Sequence, residues 1–183
     1  FNLEGINKSS ARFDFKKLED INKKHIGIAS TNELMKDLKN FSNVSSKINL
    51  TNSDIAKIEK ALYCLKNNSK KIPDILSKAH FLITKRPIER DERASLALDE
   101  SGKALLRELT PFLEDATWSR EGLEFAVNTC LDKTNLKLGQ MVQPLKAALS
   151  GKMSTPSVFD MMVLLGPGEV QARICDATYS TTS

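Results

Sequence analysis

Cysteine and histidine are scarce in this chain, and their spacing matters as much as their number. Cys64, Cys130 and Cys175 are three widely separated thiols, and His25 and His80 are the only histidines. A zinc site needs converging nitrogen and sulfur ligands at short spacings, and a disulfide framework needs an even set of cysteines. Neither pattern is present. No metal constellation is expected, nor any Cys/His or Ser/His/Asp arrangement for nucleophilic catalysis, and reduced thiols suit a cytoplasmic protein. Apolar runs are short as well. None approaches the roughly eighteen residues that a membrane span requires, and no signal peptide is visible. Strand-like alternation hardly appears, and there is neither a repeat of fixed period nor a low-complexity tract. The first residue is Phe1, not methionine, which suggests an excerpt of a longer polypeptide.

What is present is ordinary for a globular protein: 183 residues, 40% hydrophobic and 27% charged. That length allows one domain or two small ones. The net charge of +4 hides an asymmetry, because residues 1–90 hold 18 Lys/Arg against 10 Asp/Glu while residues 91–183 hold 9 against 13. A basic first half attracts phosphates without regard to sequence. The plainer reading, which charge alone favours, is a solvated lysine-rich surface.

Helical signals recur along the whole chain. Asp14 opens a first helix with Phe15, Leu18 and Ile21 inward, fading into Gly27. Ser30 with Glu33 forms a capping box for a second helix carrying Leu34, Leu38 and Phe41. Ser42–Asn49 reads as a loop. Thr51 with Asp54 caps a third helix, apolar at Ile55, Ile58, Leu62 and Leu65, which ends in the turn Lys66-Asn67-Asn68-Ser69-Lys70-Lys71. Ile72-Pro73 starts a shorter helix through Phe81. The basic cluster with proline, Thr84–Ile88, is the best boundary between two units, 1–85 and 86–183. Beyond it lie a helix around Leu96–Leu113, another from Ser119 to about Thr134 with Leu123, Val127, Cys130 and Leu131 inward, and a last one over Glu169–Ala177. The tail Ser180–Ser183 is expected to fray. Trp118 reads as a hydrophobic staple and His80 as a packed core or rim residue.

The stretch Leu136–Gly166, LKLGQMVQPLKAALSGKMSTPSVFDMMVLLG, organises the rest. Leu138, Met141, Val142, Leu145, Ala148 and Leu149 recur at steps of three and four and mark the buried face of a helix. Gly151 suits a left-handed C-cap. Thr155 as N-cap and Pro156 at the first position predict a second helix with Val158, Phe159, Met162 and Val163 inward, ended by Gly166 and Pro167. The result is an αα-hairpin whose polar stripe groups Gly139, Gln143, Lys146 and Ser150 beside its connector. An amide and a cation next to a helix start suit a polyanion or a splayed base.

This block resembles the C-terminal anticodon-binding region of bacterial glutamyl-tRNA synthetases, whose pattern there runs "GQ…QPLRaAL-G…TPglFd…LLG". Phe1–Ile26, FNLEGINKSSARFDFKKLEDINKKHI, is similar to the segment that follows the catalytic domain in that family, and KAHFLI (Lys78–Ile83) and Trp118 fall where the family has similar features. The resemblance implies an all-α fold of two small bundles in series, a stem-contacting bundle over 1–85 and an anticodon-binding helical cage over 86–183. It implies tRNA-Glu as partner, together with a catalytic domain in the same polypeptide that uses ATP and magnesium. No cofactor and no catalytic residue are expected in this stretch, and a monomer is expected. Carried over position by position, the anticodon contacts fall at Lys146, Thr155, Pro156, Val158, Phe159 and Asn68, with Lys66 and Gln143 in support. A base edge would be hydrogen-bonded there, or packed on Pro156 or Phe159.

Two departures from the family bear on specificity. Lys146 stands where the family has arginine, keeping the charge but losing the planar fork. Asn68 stands where members that separate tRNA-Glu from tRNA-Gln carry an arginine, so tRNA-Gln becomes a second possible partner. Two further strings mislead. His25-Ile26-Gly27-Ile28 and Lys152-Met153-Ser154 look like the HIGH and KMSKS signatures of an ATP site. However, His25 falls at the end of a helix, where no backbone N–H groups face a phosphate. From the residues alone the competing reading is a helical protein-interaction domain with a solvated basic surface.

Overall fold

The computed structural model describes residues 14–44 and 50–179, and among these every regular element is a helix. In order they are α1 (Phe15–Ile28), α2 (Thr31–Val44), α3 (Asn52–Leu65), α4 (Ile72–Ile83), α5 (Glu92–Ala97), α6 (Glu100–Glu114), α7 (Arg120–Thr134), α8 (Leu138–Ser150), α9 (Val158–Leu165) and α10 (Pro167–Tyr179). Helices α2, α3 and α4 pack on one another, and α6, α7, α8 and α10 form a second group, with α5 on α8 and α9 on α7, α8 and α10. Helix α4 alone among the first group packs appreciably on the second, against α8 and α9. The chain is therefore all-α, two helical groups in series.

Local chemistry sets most of the starts. The Asp14 carboxylate accepts the Lys16 and Lys17 N–H groups at 3.0 and 3.1 Å. Ser30 and Glu33 close a reciprocal box at 2.9 and 3.3 Å, and Thr51 with Asp54 closes another at 3.0 and 3.2 Å. Each satisfies donors that a helix start leaves orphaned. The predicted inward faces of α2, α3, α7 and α8 supply the core: Leu38, Ile58, Leu65, Leu123, Met141 and Leu145 are almost wholly buried. Leu138 is the exception on α8, at 42% exposed.

Several expectations need correction. Phe15, Leu18 and Ile21 of α1 face outward, at 73, 40 and 44% exposure, and only Ile26 of that helix is buried. Helix α1 packs lightly on its neighbours, so its apolar stripe does not mark an interior. It also passes through Gly27 and ends at Ala29 instead. Helix α2 continues through Ser42–Val44, and residues 45–49 of the expected loop lie outside the described residues, as does the tail 180–183. The single helix expected around Leu96–Leu113 is two, because Asp91 and Asp99 each cap a start, accepting the Ala94 and Gly102 N–H groups at 2.8 and 2.7 Å. Gly102 permits the junction: a β-carbon there would lie 2.1 Å from the Ala97 carbonyl oxygen. Helix α10 starts at Pro167, two residues before the expected Glu169, with proline at the tolerated first position.

Candidate nucleic-acid interface

The α8–α9 connector is held from both ends. Gly151 adopts φ +68° and its N–H closes on the Ala147 carbonyl, the left-handed cap expected from the sequence. Its own carbonyl accepts the Asp91 N–H at 3.0 Å, and an added β-carbon would lie only 2.0 Å from the Glu89 carbonyl oxygen. The linker between α4 and α5 is thus clamped against the start of the connector. Ser150 does not belong to an open polar stripe. It is 1% exposed, its Oγ lies 2.8 Å from both the Lys146 and Lys152 carbonyl oxygens, and it accepts the Lys152 N–H at 3.1 Å. It stitches the last turn of α8 to the connector.

Thr155 is not the N-cap. Its hydroxyl donates to the Pro156 carbonyl at 3.2 Å, and α9 begins only at Val158, with Ser157 as a cap that makes no side-chain bond. The Thr155-Pro156 pair looked like a cap because both residues suit one, but the connector extends past them. Among the residues expected to meet RNA, Gln143 is exposed, Lys146 and Thr155 are half-buried, and Pro156 is buried. Val158 and Phe159 are 2 and 7% exposed, so they form the floor of the connector and present no open stacking face. Lys146 and Lys152 make no ion pair with any described residue.

The second element is the α3–α4 turn. Asn68 is exposed and sits at φ +58°. Asparagine tolerates that left-handed conformation better than most residues, which gives it a backbone reason to be there. The turn is rigid. Ser69 is buried and donates to the Leu65 carbonyl at 2.7 Å, and Asp74 accepts the Lys70 and Lys71 N–H groups at 2.8 and 3.0 Å. Lys78, on α4, donates to the Asn67 carbonyl at 2.5 Å and to Ser69 Oγ at 2.9 Å, and burial holds its pKa below the ordinary lysine value. Sequence reasoning missed that role, since nothing local links Lys78 to a turn eleven residues earlier. Lys66 points its ammonium towards the Ala29 carbonyl, 3.5 Å away.

Electrostatics tie the two elements together. Burial, then the charge of Asp160, pushes the Cys64 thiol up to about 11, and Asp160 also acts on Tyr63. Helix α4 links the two elements, packing on both α3 and α9. Asp160 is itself paired with Arg120 at 2.5 Å, and Arg120 with Glu124 at 3.0 Å. Trp118 braces α9 by donating to the Met162 carbonyl at 3.1 Å while packing on the core. His80 lies at the rim, 2.9 Å from the Thr84 hydroxyl, and its pKa is lowered by burial and then by the charge of Lys152. His25 is exposed in the last turn of α1, at the C-terminal end of that helix. Among the described residues no group of His, Cys, Asp and Glu could hold a metal, and no helix is long and apolar enough to cross a membrane.

A turn fixed by internal hydrogen bonds and a hairpin connector clamped at Gly151 are thus the two elements that carry the residues expected to meet RNA. Residues 33–178 match the family described as anticodon binding domain, and the chain belongs to that family. It is 44% identical over 177 residues to glutamate–tRNA ligase 2 of Roseobacter denitrificans, and 42% identical over 178 residues to glutamate–tRNA ligase 1 of Dinoroseobacter shibae. Each alignment covers 97% of this chain and 38% of the relative, so the chain spans well under half the length of those proteins. The fold is similar to that of a glutamate–tRNA ligase from Elizabethkingia meningosepticum, with a TM-score of 0.74 and 23% identity over 98% of this chain and 35% of that one. A second such enzyme, from Elizabethkingia anophelis, gives a TM-score of 0.70 over 98% of this chain and 34% of that one.

Proposed function

We propose that this chain is the tRNA-gripping and anticodon-reading part of a cytoplasmic glutamate–tRNA ligase, acting as a monomer. The ATP- and magnesium-dependent attachment of glutamate would belong to the remainder of such a polypeptide. The carrying observation is the conjunction of family membership with an α8–α9 hairpin, clamped at Gly151, that leaves Lys146 and Thr155 partly exposed. In this reading Lys146, Gln143 and Thr155 contact the splayed anticodon, Pro156, Val158 and Phe159 hold the connector in shape, and Asn68 reads from the facing turn. Lys66 contributes charge beneath it. Residues 1–85 would follow the stem and 86–183 the anticodon.

An asparagine at 68 offers a shorter, uncharged contact than an arginine, and a lost bidentate base contact is worth roughly 1–3 kcal/mol by analogy with groove readout. The reading therefore includes tRNA-Gln as a second partner, and charging of both tRNAs by the enzyme containing this domain tests it. Strict preference for tRNA-Glu removes that part. For the domain itself, binding to an anticodon stem-loop should weaken steeply with salt, as contacts to several phosphates require. Lys146→Glu should weaken binding at unchanged helicity, whereas Leu145→Asp, which buries a charge at a fully buried position, should unfold the chain. Salt-independent or absent RNA binding refutes the proposal and favours a protein-interaction domain.

A further inference from the structure

We propose that Tyr63 is a stacking platform for a base of the bound anticodon loop, set beside the α3–α4 turn. This rests on the RNA-binding reading above and adds a contact at a place where none was expected. Tyr63 is 52% exposed in the last turn of α3, five residues before Asn68. A lone exposed aromatic ordinarily needs no explanation. Three observations set this one apart.

The first is that its support is rigid. Cys64 and Leu65, the next two residues, are 3 and 0% exposed, the Lys66 N–H closes the helix on the Leu62 carbonyl at 3.1 Å, and Lys78 locks the turn that follows. A ring held on such a base loses little freedom when a base stacks on it. The second is its position beside the α3–α4 turn. It lies in the last turn of α3, one residue before the buried Cys64 and five before Asn68, so its exposed ring flanks the turn that presents that amide. The third is that the buried aromatic of the connector is closed off: Phe159 is 7% exposed and offers no face. Unpaired bases need a flat π surface as well as polar edge contacts, and Tyr63 supplies one beside the amide-bearing turn Asn67-Asn68.

The test uses the full chain and an anticodon stem-loop RNA carrying 2-aminopurine in the loop. Tyr63→Phe keeps the π face and should bind within about twofold of the parent, with the same quenching of the fluorophore. Tyr63→Ala and Tyr63→Leu should each lose affinity by about 5- to 150-fold, the range expected for one base–aromatic stack, and should lose the quenching at unchanged helicity. Leucine separates stacking from simple apolar contact, so a leucine variant that binds like the parent overturns the inference. If Lys146→Glu weakens binding while Tyr63→Ala does not, the stacking role falls and the RNA-binding reading stands. If the parent binds no RNA, both fall.

Discussion

Gly151 is where the sequence, the connector and the rest of the fold meet, and one methyl group probes all three. In Gly151→Ala the residue must keep φ near +68°, which costs an L-residue roughly 1–2 kcal/mol. The new β-carbon would stand 2.0 Å from the Glu89 carbonyl oxygen and 2.9 Å from Ile88 Cγ2. Ordinary contact requires the linker to retreat by more than about 1 Å, and the 3.0 Å bond from the Asp91 N–H to the Gly151 carbonyl is lost with it. That bond adds about 0.5–1.5 kcal/mol. The sum is about 1.5–3.5 kcal/mol, which for a chain of this size lowers Tm by roughly 3–14 °C. Gly27→Ala is the control. Nothing lies within 4 Å of its added β-carbon and it sits inside α1, so alanine should stabilise by about 0.5–1 kcal/mol. Thermal unfolding followed by circular dichroism measures both. A Gly151→Ala protein that melts with the parent refutes the clamp, and with it the argument that the connector is preformed.

Arg173 is 2% exposed and its guanidinium donates to the Phe81, Leu149 and Thr84 carbonyls and to Glu169. Arg173→Met should cost about 3 kcal/mol or more in urea unfolding, because buried acceptors at two helix ends lose their donor, and Arg173→Lys should rescue little, lacking the fork. Below neutral pH, stability should fall through the carboxylates of the two capping boxes. Glu33 and Asp54 are held below 4.5 and 3.8 by hydrogen bonds from Ser30 and Thr51, so the unfolded chain binds their protons more tightly. Their contribution is complete above those values and disappears as pH falls through the lower folded-state values. Urea midpoints between pH 6 and 3 should decline less steeply in Glu33→Ala/Asp54→Ala, and an unchanged slope refutes the assignment. Thiol titration at pH 8 should find one fast cysteine, the exposed Cys175. Cys64, pushed up to about 11, and Cys130, raised by burial, should react only on unfolding, so three fast thiols refute it.

The parts of the fold that were legible in the sequence are those whose cause is local. A Ser, Thr or Asp that satisfies its own helix start leaves a signature within four residues, and a glycine that closes a helix does the same. Hence Asp14, Ser30, Thr51, Ser119 and Gly151 stand where the pattern placed them. What was not legible depends on contacts between distant segments. The stripe of α1 is as regular as that of α3, yet only α3 is packed on a partner over its length, and periodicity carries no information about which stripe is covered. Thr155 and Pro156 carry every local mark of a helix start. The connector nevertheless runs past them, tied down by Ser150 behind and bonded through Gly151 to a linker sixty residues earlier. Lys78 and Arg173 are the extreme cases, since each acts on carbonyls supplied by other elements and no motif announces a donor to a carbonyl.

Formal charge is a poor guide to the surface that RNA would meet. The second half of the chain carries an acidic excess, which on its face disfavours a polyanion. Seven of the thirteen carboxylates in residues 91–183 cap helices or pair with cations. Asp91 and Asp99 cap helices, Asp160 and Glu124 hold Arg120, Glu169 holds Arg173 and approaches Arg86, Asp176 holds Arg86, and Glu100 holds Lys103. A carboxylate already paired contributes little field beyond about one Debye length, near 8–10 Å at ordinary salt. Lys146 and Lys152, in contrast, have no carboxylate partner among the described residues. The connector is thus locally cationic within an acidic half. Reversing Lys146 should therefore flatten the salt dependence of RNA binding by about 0.7–0.9 in logarithmic slope for a lost phosphate contact. Reversing an exposed cation on the far side of the chain should not.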